Sequence, residues 1–245
     1  PPDRLCHYHP GEDEALLMQR LRPDAIILKE SGQSGGFLAK TEAACGLGIA
    51  TFIVRRPPMP PGLACADGPH GLRRLVESLL PGFYDQRSGL TTGTCATASA
   101  VACVLALFCP EGEPRGTVPV ILPDGETLHV AIAHSRRTSA TCAEASTLKD
   151  GGDDPDVTNG LPLCATLSLL PPRPGTPPGD YDIDLRGGPG IGTVTLPGLG
   201  IAVGSPAINA TPRRMILDNM ARQLRRLGVC PARHAYRLAL SAPGG

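Results

Sequence analysis

Four prolines in the segment RRPPMPPG, residues 55–62, rule out regular secondary structure at that point of the chain. Each proline lacks a backbone N–H donor and has a fixed φ angle. The apolar run IATFIV ends just before this segment, and a polar turn near residue 87 opens a second, longer set of apolar runs. We therefore predict a small unit at residues 1–60, a linker with a short helix at 61–84, and a larger domain at 85–245.

The first unit has the pattern of a strand, a glycine-rich turn, a helix and a second strand. The apolar run AIIL is followed by SGQSGG at Ser31–Gly36, by the helix-like KTEAACGLG, and by IATFIV. Free backbone N–H groups between a strand and a helix can hold a phosphate. The glycine-rich turn is therefore either a phosphate site or a plain tight turn.

The larger domain mixes helices with short strands. TTGTCATASAVACVLALF predicts a helix that one of the threonines 91, 92 or 94 caps, and PDGE between two apolar runs predicts a hairpin. A polar segment that is helix-like or loop then leads to the strand LPLCATLSLL. After a flexible connection at 171–180, GGPGIGTVTLPGLGIAVG indicates glycine-broken strands, and a helix runs from Thr211 to Gly228. The fold class is mixed, with α/β and α+β parts.

Composition and charge exclude several classes of function. Lys plus Arg and Asp plus Glu both number 23, so no net field draws the chain to nucleic acid or to an anionic membrane surface. The chain has no Trp, four Tyr and four Phe, which leaves few aromatic platforms for stacking bases. The most apolar stretch, Ala96–Phe108, falls well short of the roughly 20 residues that span a bilayer. It predicts a buried helix.

Cysteine and histidine show no spacing typical of a metal site. Nine cysteines are scattered without a CxxC pair, and their odd number fits a disulfide framework poorly, so a reducing cytoplasm is expected. Cys95 lies at a predicted helix start, where a thiolate would be stabilised, but no histidine is tied to it by any pattern. We expect Cys95 to be a buried structural residue, His129 and His134 to be ordinary polar positions, and no metal to be bound.

The acidic segment KDGGDDPDVTNG, residues 149–160, is the most informative stretch for chemistry. It crowds Asp150, Asp153, Asp154 and Asp156 together among glycines, with Lys149 able to offset one charge. Close carboxylates repel each other, and a pair of them can supply an acid and a base, bind a divalent cation, or accept hydrogen bonds from a ligand. The alternative is a solvated acidic loop built on Asx turns.

The sequence GGPGIG carries glycines 188, 190 and 192 at alternate positions. This spacing is typical of glycine loops that hold nucleotides or S-adenosylmethionine, but such a loop opens a helix, and TVTLPG after it has the pattern of a strand. A kinked strand or bulge is therefore an equal alternative.

Taken together, these motifs resemble a known family. RSGLTTGTCATASA, LKDGGDDPDVTNG and GGPGIGTVTLPGLGIAVGSPAINATPRRMI occur in the order and spacing of the cobalt-precorrin-5B C1-methyltransferases, over about residues 85–245. LRPDAIILKESGQSGGFLAKTEAACGLGIATFIVRRP, within about residues 1–65, is similar to the C-terminal end of the NADPH-dependent precorrin-6A reductases. The resemblance implies a fusion of consecutive pathway enzymes. We expect truncation at both ends, because the chain starts without Met and stops at SAPGG, where the family continues.

The resemblance implies methyl transfer from S-adenosylmethionine to C1 of a cobalt-bound tetrapyrrole in anaerobic cobalamin biosynthesis. The cofactor is then S-adenosylmethionine, and cobalt enters as part of the substrate. The expected partners are this tetrapyrrole and other enzymes of the corrin pathway, with no nucleic acid or membrane. The implied architecture is a strand–helix–strand remnant followed by an α+β methyltransferase domain. An NADPH-dependent reductase and a non-catalytic tetrapyrrole-binding fragment are the rival interpretations.

Site residues follow from the same resemblance. Asp153 and Asp154 are the expected catalytic carboxylates. The expected substrate- or cofactor-binding residues are Thr91, Thr92, Gly93, Thr94, Lys149, Asp156, Gly188, Gly190, Gly192, Asn209, Arg213 and Arg214. The chain departs from the family pattern at Asn159, where histidine is expected, and at Leu196, where lysine is expected.

Overall fold

A computed structural model of the chain shows two compact units, Pro1–Leu63 and Ala64–Gly245. The structure describes residues 13–31, 35–57, 60, 62–109, 116–173, 175, 177, 180–196 and 200–244. Residues 32–34 of the glycine-rich turn and residues 197–199 of the glycine-broken segment therefore lie outside the described residues, so the phosphate-turn hypothesis at 31–36 stays a prediction. None of the helices in the described residues is both long and apolar enough to span a bilayer.

The first unit contains a parallel strand–helix–strand motif, as its sequence pattern predicts. Its elements are α1 Glu14–Leu21, β1 Ala25–Lys29, α2 Phe37–Gly46 and β2 Ala50–Val54. Strands β1 and β2 pair in parallel and form a two-stranded sheet. Helix α1 is additional to the predicted elements, and Asp13 caps it by accepting a hydrogen bond from the N–H of Ala15 at 2.9 Å.

In its described residues, the second unit combines three α-helices with a hairpin and a five-stranded sheet. Its elements are α3 Gly68–Leu79, α4 Thr92–Phe108, β3 Thr117–Ile121, β4 Thr127–Ala131, β5 His134–Ser139, β6 Cys142–Leu148, β7 Pro162–Leu170, β8 Ile183–Gly187, α5 Ala210–Arg226 and β9 Ala235–Ser241. Strands β3 and β4 form the predicted antiparallel hairpin. The sheet has the order β5-β6-β7-β9-β8, and β8 pairs in parallel with β9 while the other pairs are antiparallel.

Helix α4 is the centre of the core, as the apolar run Ala96–Phe108 predicts. It packs against β6 and β7 of the sheet and against α5, so most of its residues are buried. Its interior carries few polar groups, and those are paired: Ser99 Oγ lies 2.7 Å from the carbonyl of Leu163 and 2.9 Å from the hydroxyl of Thr147. Buried hydroxyls need such partners because an unpaired one loses its hydrogen bonds to water.

Helix α5 is fixed to the hairpin by one buried side chain. Asn219 accepts from the N–H of Ile121 at 2.8 Å and donates to the carbonyl of Ile121 at 2.9 Å. This reciprocal pair satisfies backbone groups at the end of β3 that the two-stranded hairpin leaves open. It also fixes the position of the helix start relative to the hairpin turn, and both of these border the site described below.

Two parts of the sequence-based assignment are wrong. The polar segment after β4 forms strands β5 and β6 instead of a helix or loop. Small residues alternate in β6, where Ala143, Ala145 and Thr147 face the core, and such residues give a weak strand signal. In the described residues of the glycine-broken segment after residue 188, the β-structure is an isolated bridge between Thr193 and Pro206 instead of strands.

Candidate functional site

A cleft of about 1100 Å³ opens in the second unit. Its walls come from α3, from the segment that enters α4, from the hairpin turn, from the acidic loop at 149–160, and from the first turn of α5. The sequence-predicted site residues that line it are Thr91, Thr92, Gly93, Thr94, Lys149, Asp153, Asp154, Asp156 and Asn209. Segments that are far apart in the chain therefore meet at one cavity.

The first turn of α4 forms one wall. Thr91 caps this helix, because its hydroxyl accepts from the N–H of Thr94 at 3.1 Å, which confirms that a threonine of TTGT is the cap. A Cβ on Gly93 would lie 2.8 Å from Cβ of Pro212, so glycine allows the starts of α4 and α5 to approach each other. Two helix N-termini, whose first N–H groups lack partners within the helix, thus border the same cavity.

A buried lysine organises the acidic loop from within. The side chain of Lys149 is only 3% exposed, forms an ion pair with Asp156, and donates to the hydroxyl of Thr158 at 2.7 Å. The hydrogen bond from Lys149, together with two from Thr158, lowers the pKa of Asp156. The charge of Lys149 is therefore compensated inside the loop.

A second ion pair joins the loop to the segment that enters α4. The guanidinium of Arg87 donates to both carboxylate oxygens of Asp150, at 2.9 and 2.8 Å. Burial alone would raise the pKa of Asp150, but the N–H of Gly152 and the guanidinium of Arg87 outweigh it and lower that pKa. Asp153 accepts from the backbone N–H of Arg87 at 2.6 Å. The carboxylates of Asp150 and Asp153 thus hold the two segments together.

Asp154 differs from its neighbours in the loop. Its side chain is exposed and lines the cleft, and its backbone N–H is bonded to the carbonyl of Gly151 at 3.2 Å. The hydrogen bonds given above for Asp150, Asp153 and Asp156 tie those three carboxylates to the protein, and two of them form Asx turns, with Gly152 and with Thr158. Asp154 is therefore the loop carboxylate best placed to meet a ligand.

Glu77 of α3 fastens this helix to the same segment. Its carboxylate accepts from the N–H of Ser88 at 2.8 Å, from the hydroxyl of Ser88 at 2.7 Å, and from Arg73 at 2.9 Å. Burial would raise the pKa of Glu77, but the hydrogen bonds from Ser88 and Arg73 outweigh it and bring that pKa to about 2.

This shift predicts a loss of stability in acid. Because the pKa of Glu77 is lower in the folded than in the unfolded chain, its contribution is full above the unfolded value of about 4.3 and is lost as the pH falls towards about 2. We expect the melting temperature of Glu77→Gln to fall less steeply over that range than that of the unmodified chain. Thermal melts at a series of pH values test this, with the exposed Asp218→Asn as control; parallel curves for Glu77→Gln and the unmodified chain would contradict it.

Five predicted site residues lie outside the lining of this cleft. A Cβ on Gly190 would lie 2.0 Å from the carbonyl oxygen of Ala242, and one on Gly188 would lie 3.2 Å from that of Leu240. These two glycines therefore let the chain run close beside β9. Among the described residues, a Cβ on Gly192 would meet the Ala207 side chain at 3.6 Å.

Both predicted site arginines belong to α5. Arg214 lines a second cavity, and its Nε lies 3.6 Å from a carboxylate oxygen of Asp218. Arg213 donates its backbone N–H to the carbonyl of Asn209 at 3.0 Å.

The two departures from the family pattern have different surroundings. Asn159 accepts from the N–H of Gly151 at 2.9 Å and so closes the acidic loop from inside. Leu196 is 73% exposed.

Cys95 is fully buried, and burial raises the pKa of its thiol to about 11, which confirms it as a structural cysteine.

Sequence reasoning missed the arginines of the cleft. Arg73, Arg74 and Arg87 all line it, whereas the sequence pattern of α3 indicates only an apolar stripe. The guanidinium of Arg73 also lies 4.6 Å from the ring centroid of Tyr84. The adjacent basic pair in GLRRLVESLL was the available signal, because two arginines next to each other cannot both join an apolar face.

Comparisons with known proteins match both parts of the chain. The family model described as CbiD matches residues 82–245, and the one described as Precorrin-6x reductase CbiJ/CobK matches residues 9–77. Proteins named cobalt-precorrin-5B C(1)-methyltransferase are similar: that of Pseudomonas fluorescens is 48% identical over 136 residues, which are 56% of this chain and 34% of that protein. That of Prosthecochloris aestuarii is 43% identical over 159 residues, 65% of this chain and 40% of that protein.

One solved structure is also similar. It is the crystal structure of a cobalamin biosynthesis protein (cbiD) from Archaeoglobus fulgidus, with 25% sequence identity, a TM-score of 0.43, and coverage of 65% of this chain and 44% of that chain. The matched part of the chain thus spans less than half the length of each of these three proteins.

Proposed function

This chain belongs to the CbiD family, and from that membership we propose that its cleft binds a cobalt-bound tetrapyrrole and directs methyl transfer from S-adenosylmethionine to C1 of that ring. The reaction is the one named for the relatives from Pseudomonas fluorescens and Prosthecochloris aestuarii. The chain covers 34% and 40% of those proteins, so the residues of its own cleft have to support this assignment.

The observation that carries the proposal is the convergence of the motifs on one cavity. TTGT at residues 91–94, the acidic loop at 149–160, and NATP at 209–212 all contribute to the same cleft. Its volume of about 1100 Å³ lies slightly above the range of about 300–1,000 Å³ that ligand sites usually enclose. A macrocycle needs a cavity larger than that of an ordinary metabolite.

The walls of the cleft suit a substrate that carries several carboxylates. Arg74 and Arg87 line it, and their side chains are 28% and 52% exposed. Each guanidinium has five N–H donors, so the bonds to Asp150 and Ser88 leave further donors for a ligand. The backbone N–H groups at the starts of α4 and α5 add donors and a favourable helix dipole.

S-adenosylmethionine would supply a methyl group on a sulfonium, which is already a good leaving group, so no covalent protein nucleophile is required. The residues of the cleft then have to hold the two reactants in line and exclude water. The N–H groups beside Thr92 and Gly93 suit the carboxylate of such a donor, and Asp154 suits its hydroxyl or amino groups. Asp154 is also the residue to accept a proton from the macrocycle, because its carboxylate faces the cleft.

We infer that the reductase-like segment is the end of a neighbouring enzyme fused to this domain. The reductase family model matches residues 9–77, and the elements that lie wholly within its described part are the parallel strand pair and helices α1 and α2. Ile27 and Phe52 of the strand pair are 75% and 62% exposed, which is typical of a parallel sheet that lacks its covering layers.

A single-turnover reaction tests the proposed function. The chain is incubated with cobalt-precorrin-5B and with S-adenosylmethionine labelled at the methyl group, and the macrocycle is analysed by mass spectrometry. Appearance of the label in the macrocycle supports the proposal. If the Pseudomonas fluorescens relative transfers label under the same conditions and this chain binds the macrocycle without doing so, the chain is a non-catalytic tetrapyrrole-binding fragment.

A further inference from the structure

Three side chains that can bind a metal ion meet at the edge of the cleft. Nε2 of His70 lies 3.3 Å from Oδ2 of Asp124 and 3.9 Å from Oε2 of Glu126. One ligand atom from each of the three lies within 4.8 Å of the others. Ligand atoms bound to one ion at about 2.0–2.2 Å lie roughly 3–3.5 Å apart, so only small side-chain adjustments separate this arrangement from a coordination site.

Glu126 carries the observation that points to a ligand. Its side chain is 7% exposed, and its Oε2 is fully buried without a hydrogen-bond partner among the described residues. Burying a carboxylate oxygen without a partner is costly, and proteins avoid it unless an ion or a water completes the site. Two potential metal ligands, from His70 and Asp124, each have a ligand atom within 4.8 Å of a carboxylate oxygen of Glu126.

The fold holds the other oxygens of the cluster in place. Oε1 of Glu126 accepts from the N–H of Gly71 in the first turn of α3 at 2.8 Å. Oδ1 of Asp124 accepts from the N–H of Glu126 at 3.0 Å, which forms an Asx turn in the hairpin. In each carboxylate one oxygen is therefore fixed by a backbone N–H, and the other is directed towards His70.

From this geometry we propose that His70, Asp124 and Glu126 form a binding site for one divalent cation. An imidazole nitrogen with two carboxylate oxygens is a donor set for borderline and oxygen-preferring ions such as Mn²⁺, rather than for ions that need thiolates. His70 and Asp124 also line the cleft and are 58% and 54% exposed, so the open side of the site faces the cavity. Water or a carboxylate of a cleft ligand completes the coordination.

This site could not be recognised from the spacing of its residues in the sequence. His70 precedes Asp124 by 54 positions, and it lies in the segment that matches the reductase family, whereas the two carboxylates lie in the segment that matches CbiD. The site is thus assembled from residues on both sides of the junction between the two matches.

Titration with Mn²⁺, followed by electron paramagnetic resonance, tests the proposal without corrinoid or S-adenosylmethionine. The signal of hydrated Mn²⁺ decreases when the ion binds, and Mn²⁺ has little preference for the cysteines of the chain. We expect the unmodified chain to bind one ion. Glu126→Gln keeps the acceptor for Gly71 and so preserves the fold, but it removes the charged ligand and should weaken Mn²⁺ binding by at least about tenfold.

Two further variants make the result specific. His70→Asn should weaken Mn²⁺ binding to a similar extent, whereas His134→Asn, at a histidine that lies beside Glu144, should leave it unchanged. The proposal is overturned if the chain binds no Mn²⁺ at millimolar concentration. It is overturned equally if Asp154→Asn abolishes binding while Glu126→Gln and His70→Asn do not, because the ion would then belong to the acidic loop. Because no turnover is measured, failure here would leave the proposed methyl transfer untouched.

Discussion

Replacement of Asp154 by asparagine is expected to lower the single-turnover rate of methyl transfer by about 10²-fold or more, the usual contribution of a group that transfers a proton. Asn has nearly the same size and cannot accept the proton. The melting temperature should not change, because the exposed Asp154 carboxylate lies in the cleft and has no hydrogen bond to the loop among the described residues. Rapid-quench measurement of label transfer tests the expected fall in rate, and a thermal melt tests the unchanged melting temperature.

The neighbouring Asp153 provides the matched comparison. Its carboxylate accepts from the N–H of Arg87 at 2.6 Å. Asp153→Asn should therefore lower the melting temperature as well as the single-turnover rate of methyl transfer. An Asp154→Asn variant that transfers label at the unmodified rate would show that this carboxylate takes no part in the chemistry. A decrease in both rate and melting temperature for Asp154→Asn would instead indicate a structural role.

Leu167→Ala should be the most destabilising single change among those considered. Leu167 is fully buried in β7, the middle strand of the sheet, and lies opposite Leu238 of β9. Truncation of a buried leucine removes apolar contacts and leaves a cavity, which costs about 2–5 kcal/mol in the free energy of unfolding. Urea unfolding followed by circular dichroism measures this loss.

Leu196→Ala is the control for this effect. The side chain of Leu196 is 73% exposed, so its removal should change the free energy of unfolding by no more than about 0.5 kcal/mol. Equal losses for Leu167→Ala and Leu196→Ala would mean that the sheet is not the centre of stability of the second unit.

Helices α2 to α5 and the hairpin were predictable because each has a strong local signal, whereas α1 was not predicted. A threonine cap before a long apolar run predicts α4, and Pro and Gly in PDGE predict the turn between β3 and β4. The acidic loop also has a local signal. Carboxylates clustered among glycines repel each other, and a plain surface turn does not require such a cluster. In these places local chemistry and the final structure agree.

The missed features depend on partners that are distant in sequence. Strand β6 alternates alanine with polar residues, and only its neighbours β5 and β7 make that pattern a strand. The glycines at 188 and 190 pack beside β9, which no local pattern reveals. Arg73 and Arg74 reach the cleft because α3 packs beside the hairpin, and the pairing of His70 with Asp124 follows from the same contact.

The central claim is that the cleft binds a cobalt-bound tetrapyrrole, and the most direct test is a titration of the chain with cobalt-precorrin-5B followed by visible absorption. We predict saturable one-to-one binding that Arg74→Gln weakens by about 10–100-fold, the value of a hydrogen bond to a charged group. Arg226→Gln, at the far end of α5, should bind like the unmodified chain. Absence of binding, or equal affinity for Arg74→Gln and Arg226→Gln, would contradict the assignment of this cleft.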